Sequence, residues 1–360
     1  MLSFAPVPAG PDASPSLPAR PAGPPGARPA RQVLTAAREL AGPAHRAAID
    51  TLPAEIRRIA GYHAGWWDED GRPHGSEGKA IRPALVLACA RAIGGDRAES
   101  VHAAVPVAVA VELVHDFSLL HDDIIDGGLT RRHRPAAWSV FGIGAALLTG
   151  DMLLTLAADV LAAGPGLKVL TGAVLELCSG QNADLAFQAR TGVTLTECVQ
   201  MAEAKTGALL GCACQLGALA AGAEPIRAAL MNGFGRHLGL AFQLADDLLG
   251  IWGDPAATGK SVHSDLASRK KSLPVVAALT SGTPAGEHLS RLYQRGDTLD
   301  EEAVTYAAGL VEDADGRAWA QAEADRQMAA ALACLEQASP HPEAADDLRA
   351  LAALITRRDH

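Results

Sequence analysis

The chain has 360 residues, of which 49% are hydrophobic but only 4% aromatic, and its formal net charge at pH 7 is −10. An apolar fraction this large can bury a sizeable core, and the abundance of Ala and Leu favours helices over strands. The negative charge argues against a nucleic-acid partner, because binding phosphate backbones requires clustered Lys and Arg. The cysteines lack CxxC spacing, which argues against zinc and predicts buried thiols in a reducing compartment.

Residues 1–30 form the first segment, in which a proline recurs every few positions between Ala, Gly and Ser. Such a density of proline prevents both helix and sheet, so we predict a disordered tail ahead of a helical domain over 31–360. The tail is either a leader without function or a docking segment, since Leu2, Phe4 and Val7 give it a small apolar tip. It contains no apolar signal-peptide region, which predicts a cytoplasmic protein.

Apolar residues recur at spacings of three and four in the runs 98–125, 138–163, 168–188 and 225–251, which predicts helices. The longest uncharged stretch, 206–223, is too rich in Gly and Ala for a membrane span and is predicted to be a helix buried on all sides. Strand-like alternation and internal repeats are not evident. The predicted fold class is therefore all-α, a single large helical bundle with short helices closing the C-terminal third.

The first acidic cluster, His121-Asp122-Asp123-Ile124-Ile125-Asp126, lies at the end of an apolar helix. Asp122 and Asp126 are four residues apart, so their carboxylates share one helix face. Carboxylates this close repel each other unless cations lie between them, and their hard oxygens suit Mg²⁺, which also binds substrate phosphates. A merely solvated helix end is the alternative, which the apolar flanking residues disfavour.

The second acidic cluster spans residues 242–250, with Asp246 and Asp247 late in another apolar run. Two charges on such a helix are costly without a metal or a cationic partner. If the two acidic helix ends face each other across the bundle, Mg²⁺ ions between them can neutralise a diphosphate leaving group.

Basic residues recur before and after these clusters, beside helices that carry little other charge. Each pair alone is more often a surface feature, but their recurrence predicts binding of two diphosphates. They are Lys79, Arg82, Arg131, Arg132, Lys205, Lys260, Arg269, Lys270 and Lys271.

These motifs resemble those of the trans-isoprenyl diphosphate synthases, over roughly residues 50–280, and most of all the bacterial geranylgeranyl and farnesyl diphosphate synthases. The first acidic cluster matches the family's first aspartate-rich motif, and Asp246-Asp247 resembles the second. Residues 78–83 match the Gly-Lys-x-x-Arg-Pro segment, and 180–185 resemble a further signature lining the cavity. The resemblance implies a bundle of the isoprenoid synthase type with a central active-site cavity.

The resemblance implies roles residue by residue. Mg²⁺, three ions per active site, would be held by Asp122, Asp126 and Asp246. The isopentenyl diphosphate would be bound by Lys79, Arg82, His115 and Arg132. The allylic diphosphate would be bound by Arg131, Lys205, Thr206, Gln243, Lys260 and Lys270. The catalytic set that ionises the allylic substrate would be Asp122, Asp123, Asp126, Arg131, Lys205, Asp246 and Lys270.

The implied reaction is the Mg²⁺-dependent condensation of isopentenyl diphosphate with dimethylallyl, geranyl or farnesyl diphosphate. Three departures from the family pattern occur: Gly250 stands where Asp is usual, and His133 and Arg269 stand where Gly is usual. The missing carboxylate predicts weaker metal binding with activity retained. We expect Gly250→Asp to tighten metal binding or leave it unchanged.

Two other functions are considered. A class I terpene cyclase ionises a diphosphate on the same fold, but the isopentenyl-side residues would have no purpose there. A non-catalytic helical subunit would be expected to have lost motif residues, and here only one carboxylate of the second motif is gone.

Product length depends on the helix that carries Asp122. Phe117 and Ser118 lie five and four residues before it, about one helical turn down the path of the growing chain. The bulky ring predicts a floor and a twenty-carbon product, geranylgeranyl diphosphate, with the fifteen-carbon farnesyl compound second; alternatively, Phe117 is only a core aromatic. By analogy with the family we expect a homodimer. The proline-rich tail resembles those of cargo enzymes packed in bacterial protein shells, so an encapsulating shell protein is a further expected partner.

Overall fold

The computed structural model describes residues 28–75, 78–162, 164, 166–253, 263–294 and 299–356, with only the backbone of Ser264. Nearly all regular structure in these ranges is helical, which confirms the all-α prediction. Residues 1–27 of the predicted tail and Lys260 lie outside the described residues. The predicted boundary near residue 30 stays a prediction.

The helices follow one another with short connections. They are α1 (Ala30–Asp50), α2 (Ala54–Ala64), α3 (Ile81–Gly94), α4 (Ala98–Ile125), α5 (Ala137–Phe141), α6 (Ile143–Val160), α7 (Gly166–Ala189), α8 (Leu195–Ala202), α9 (Ala208–Ala220), α10 (Pro225–Trp252), α11 (Ser264–Ala267), α12 (Leu273–Leu279), α13 (Pro284–Gln294), α14 (Glu301–Asp313), α15 (Gly316–Gln337) and α16 (Pro342–Thr356). A π-helix, Glu203–Gly207, joins α8 to α9. The antiparallel strands β1 (Thr130–Arg131) and β2 (Arg134–Pro135) form a small hairpin after α4.

The four apolar runs of the sequence each form helix. The run 98–125 coincides with α4, and the run 225–251 forms α10, which begins at Pro225, where the missing N–H costs no hydrogen bond. The run 138–163 is divided at Gly142, whose φ of 89° ends α5 and starts α6.

Helix α9 is the centre of the bundle and packs against α3, α4, α7 and α10. Small residues let these helices approach closely: a Cβ at Gly217 would lie 2.2 Å from the carbonyl oxygen of Val86, and one at Gly235 2.4 Å from that of Leu210. Nearly every residue of α9 is buried. The prediction of a helix buried on all sides is therefore confirmed for α9, whereas the rest of the stretch 206–223 holds the end of the π-helix and a turn with the exposed Gly222.

The prediction of short helices in the C-terminal third is confirmed for α11 to α14, which have 4, 7, 11 and 13 residues, but not for the last two helices. Helix α15 has 22 residues and packs along α10, and α16 has 15 residues. The buried face of α15 is built from Ala320, Ala324, Ala331 and Leu335. Alanine gives only a weak hydrophobic periodicity, although it favours helix strongly and permits close packing.

The start and the end of the described chain are tied together at Asp347, a buried residue of α16. Its carboxylate accepts hydrogen bonds from Arg28, whose Nε lies 3.0 Å from Oδ1, and from Arg91 of α3. A buried carboxylate requires such cationic partners. The α1 helix is thereby anchored to α3 and α16.

Two helices in the described part of the chain, α4 and α6, have the length and hydropathy of a membrane span. A helix in the core of a bundle passes the same test, and 61% of the relevant window of α4 is buried by other helices. The corresponding share for α6 is 28%. Both are helices of the bundle, and α6 leaves an apolar face uncovered.

Candidate active site

The end of α4 is covered by the β1–β2 hairpin. Arg131 of β1 donates hydrogen bonds from Nε and Nη2 to Oδ1 of Asp123, at 3.0 and 2.6 Å, and its Nη2 lies 3.8 Å from Asp122. Asp123 is buried, and burial raises the pKa of its carboxyl against the opposing effect of Arg131. Asp123 therefore positions Arg131 beside the first acidic cluster.

Two departures from the family pattern occupy left-handed backbone. His133 has φ 62° in the hairpin turn, beside Arg132 at φ 52°, and Arg269 has φ 53° before Lys270. Glycine adopts this region without strain, whereas other L-residues lose about 1–2 kcal/mol in it. The usual glycines therefore have a conformational reason, and this chain tolerates the strain at both turns.

Lys205 lies in the π-helix and joins the first cluster to α7. Its Nζ is 2.7 Å from Oδ2 of Asp184 and 3.3 Å from Oδ1 of Asp122. Burial alone would lower the pKa of Lys205, but these two carboxylates raise it, so the amine is protonated. A Cβ at Gly180 would lie 2.4 Å from the backbone nitrogen of Lys205, so glycine there admits the π-helix. Irregular helical turns of this kind are frequent at functional sites.

The second cluster is held by a chain of hydrogen bonds. Thr206 Oγ1 donates to Gln243 Oε1 at 2.8 Å, and Gln243 Nε2 donates to Asp247 Oδ1 at 2.9 Å. The backbone N–H of Leu273 donates to the other oxygen of Asp247 at 2.9 Å. Burial raises the pKa of Asp247 to about 6, against the opposing charge of Lys270. Asp247 is thus engaged by the protein, while the adjacent Asp246 is only half-buried.

The two acidic clusters are close enough to influence each other. The pKa of Asp126 is raised by burial and by Asp122, and the charges of Lys205 and Lys270 oppose that rise. Lys270 lies 3.7 Å from Asp247, in the second cluster. Lys205 lies 3.3 Å from Asp122 of α4, and the adjacent Thr206 donates a hydrogen bond to Gln243 of α10, so α4 and α10 present their acidic ends to a common space.

The predicted isopentenyl-side residues lie at the start of α3 and on α4. Arg82 Nε is buried and has no hydrogen-bond partner among the residues that the structure describes. Burial lowers the pKa of Arg82, while the charges of Glu112 and Asp116 support its protonation. Burial and the charge of Arg82 together lower the pKa of His115 well below its usual value, so its imidazole is neutral at pH 7. Lys79 is exposed at the rim.

A cavity of about 460 Å³ lies between α1 and α4, beside these residues. Gly78 and Arg132 line one part of it, and Glu112 and Asp116 line another. The carboxylate of Asp116 lies 3.4 Å from Nε2 of His45. The two acids, both on α4, compensate the charge of Arg82.

The residues at the first cluster fit a divalent cation. Asp122 Oδ1 is buried without a hydrogen bond, although Lys205 Nζ lies 3.3 Å away, and Asp126 is one helical turn further along. Within the described ranges, no three His, Cys, Asp or Glu side chains converge on one point. Mg²⁺ is commonly bound by one or two carboxylates together with substrate phosphates and water, which suits this arrangement.

The two predicted chain-length residues face different surroundings. Phe117 is buried, and its ring lies 4.7 Å from the ring of His121 in an edge-to-face arrangement. Ser118 is half-buried, and its hydroxyl donates to the carbonyl of His115 at 2.8 Å on its own helix. Their control of product length stays a prediction.

The chain is similar to known proteins over most of its length. The family model described as polyprenyl synthetase matches residues 73–311. A (2E,6E)-farnesyl diphosphate synthase of Mycobacterium tuberculosis is 46% identical over 91% of this chain and 92% of its own length. A geranylgeranyl diphosphate synthase of the same organism is 45% identical over 91% and 94%. The crystal structure of a polyprenyl synthetase from Streptomyces coelicolor A3(2), 44% identical, superposes with a TM-score of 0.85 over 91% of this chain and 99% of that one. The chain belongs to the polyprenyl synthetase family and is a short-chain trans-prenyl transferase.

Proposed function

We propose that this enzyme condenses isopentenyl diphosphate with an allylic diphosphate in the space between α4 and α10, and that its main product is geranylgeranyl diphosphate. The observation that carries the proposal is the buried Arg82, whose Nε lacks a partner in the described structure, next to the neutral imidazole of His115. A terpene cyclase would not need this second anion site.

The residues around the first cluster act on the allylic diphosphate. Lys205 and Arg131 neutralise its charge as the bond to the allylic carbon breaks, and Lys270 approaches from the second cluster. Mg²⁺ held by Asp122, Asp126 and Asp246 would supply Lewis-acid stabilisation of that leaving group. Thr206 and Gln243 are proposed to orient the diphosphate, with Lys260 as a further contact.

The residues on the isopentenyl side position the nucleophile, which is the double bond of isopentenyl diphosphate. The diphosphate of this substrate would be bound by Arg82, Arg132 and Lys79, and its double bond would then attack the allylic carbocation. Apolar walls exclude water, which would otherwise capture the cation as an alcohol. The proton lost in the last step passes to the departed pyrophosphate, so no side-chain base is required.

The product assignment rests on α4. The farnesyl and geranylgeranyl synthases of the comparison have nearly equal identities, 46% and 45%, so relatedness does not separate the two products. The bulky Phe117 beside the small Ser118 favours the twenty-carbon product, with the fifteen-carbon product as the second candidate.

Arg82→Met tests the isopentenyl site. A hydrogen bond to a charged group contributes about 1.5–3 kcal/mol, so we expect the KM for isopentenyl diphosphate to rise about ten- to a hundredfold. The KM for the allylic substrate should stay near its original value. Arg349→Met, at an exposed arginine paired with Asp346, is the control. Equal weakening of both substrates in a folded Arg82→Met enzyme would contradict the assignment.

We also propose that the enzyme is a cytoplasmic homodimer and that nucleic acid is not among its partners. Its interface would be the apolar face formed by Ile143, Leu147 and Leu148 of α6 with Leu175 of α7, where Leu148 is 58% and Leu175 73% exposed. Exposed apolar patches commonly mark interaction sites. The cysteines of the described chain are free thiols, in keeping with a reducing compartment, but the prediction that they are buried fails for Cys178, which is exposed, and Cys334, which is half-buried. The proline-rich tail is proposed to dock on an encapsulating shell protein.

Sedimentation velocity tests both partner proposals. The full chain and a truncation lacking residues 1–27, which keeps the Arg28–Asp347 ion pair, should both sediment as dimers, whereas Leu148→Glu should give a monomer. Only the full chain should co-sediment with a candidate shell protein. Equal capture of the truncated enzyme would contradict the docking role of the tail, and a dimeric Leu148→Glu variant would contradict the interface.

A further inference from the structure

The ring of His121 connects Phe117 to helix α6. His121 follows Phe117 by one turn on α4, and the centroids of the two rings are 4.7 Å apart in an edge-to-face arrangement. Nε2 of the same ring lies 3.1 Å from the carbonyl oxygen of Leu147 and 3.7 Å from Oδ1 of Asp151, both on α6. A carbonyl oxygen only accepts hydrogen bonds, so Nε2 carries the hydrogen and donates it to Leu147. The orientation of the His121 ring is therefore fixed by α6.

Gly150 provides the room for this ring on α6. A Cβ built on the buried Gly150 would lie 2.4 Å from Nε2 of His121 and 2.5 Å from its Cδ2. Real Cβ atoms do not approach other heavy atoms this closely, so one of the two groups would have to move. The three atoms nearest to that Cβ all belong to the His121 ring and none to the backbone of α4. A side chain at 150 would therefore move the ring and not the helix.

Phe117 and His121 lie beside the face of α4 that carries the metal-binding residues. Ser118 and Asp122 are four residues apart and share one face, whereas Phe117 and His121, also four apart, share the face next to it. Phe117 is buried, while 20% of the His121 side chain is exposed. His121 is thus placed to influence the growing isoprenoid through its contact with Phe117.

We propose that His121 is a positioning residue for product length: its ring, seated in the space at Gly150 and tied to Leu147, holds Phe117 in the rotamer that closes the cavity. An aromatic side chain has few rotamers, and it adopts another when the space beside it opens. This inference rests on the proposed function, in that Phe117 limits the growth of the chain. It adds α6 as a second helix that sets the limit.

The alternative is a purely structural role, in which the hydrogen bond from His121 only ties α4 to α6. Loss of His121 would then lower the melting temperature and leave the product unchanged. Product length is therefore the measurement that separates the two roles, whereas melting temperature and turnover are not sufficient.

A cycle of three variants tests the proposal: His121→Ala, Gly150→Ala and the double variant. Each full-length protein is incubated with isopentenyl diphosphate, farnesyl diphosphate or a shorter primer, and Mg²⁺, and the products are sized by mass spectrometry at matched conversion. His121→Ala should lengthen the main product by at least one five-carbon unit, because Phe117 can turn into the vacated space. Gly150→Ala should shift the products toward fifteen carbons, because the displaced ring presses Phe117 into the cavity.

The double variant shows whether the effect of Gly150→Ala passes through His121. Residues in contact have coupled effects, and an added methyl group at 150 has no ring to displace once His121 is gone. The double variant should therefore give the product distribution of His121→Ala alone.

Two matched controls accompany the cycle. Gly144→Ala, on the same helix α6, adds a methyl group where no atom lies within 4 Å of the new Cβ. His102→Ala removes an exposed histidine of α4 whose ring nitrogen lies 2.7 Å from the carbonyl of Ala98 on its own helix. Both variants should keep the product length of the wild-type enzyme.

An unchanged product distribution in a folded, active His121→Ala enzyme would overturn the inference and leave the proposed condensation intact. A shift caused by Gly150→Ala that persists without His121 would also overturn it. If the wild-type protein forms no elongated product from isopentenyl diphosphate, the proposed function fails and this inference fails with it.

Discussion

Asp122→Ala is expected to lower turnover by at least about a hundredfold, because stabilisation of a leaving group by a metal ion contributes several kcal/mol. The fold should persist, since Lys205 keeps its contact with Asp184 at 2.7 Å and Asp123 keeps Arg131. The measurement is kcat at saturating substrates and Mg²⁺, together with thermal melting.

Asp159→Ala is the matched control for this substitution, because Asp159 is an exposed aspartate of α6. It should retain both activity and melting temperature. Near-normal turnover of a folded Asp122→Ala enzyme at the usual Mg²⁺ concentration would contradict the assignment of the first cluster as the metal site.

Phe117→Ala is expected to shift the product toward longer chains, because it opens the floor beneath the growing isoprenoid. Truncation of a buried phenylalanine also costs about 3–5 kcal/mol of unfolding free energy, so product analysis must be done below the lowered melting temperature. The measurement is the chain-length distribution of the products by mass spectrometry.

Phe234→Ala is the control that separates a change in product length from the loss of stability caused by removing a buried aromatic ring. Phe234 is fully buried in the core of the bundle, so its loss should destabilise the protein without changing product length. An unchanged product distribution in a folded, active Phe117→Ala enzyme would show that Phe117 is only a core aromatic and that the floor lies elsewhere.

The parts of the fold that were predictable are those with strong local signals. The periodic apolar runs gave the bounds of α4 and α10, and the uncharged stretch at 206–223 contains the buried central helix α9. The length of α15 was missed because its buried face is mostly alanine. The β1–β2 hairpin was missed because strands of two residues are too short to show an alternating pattern.

The site was predictable where charges interrupt apolar helices, as at Asp122 and Asp246. Asp184 was not assigned a role, because its partner Lys205 is brought to it by the packing of α7 against the π-helix. In the sequence, Asp184 was marked only by its place in the segment 180–185, which resembles a family signature lining the cavity.

The most direct test of chain elongation is to incubate the purified protein with isopentenyl diphosphate, Mg²⁺ and each allylic primer in turn, and to size the products. The account predicts prenyl diphosphates extended by five-carbon units, ending mainly at twenty carbons, and no product when isopentenyl diphosphate is omitted. Cyclic or hydrolysed terpenes formed from an allylic diphosphate alone, without any elongation, would contradict it.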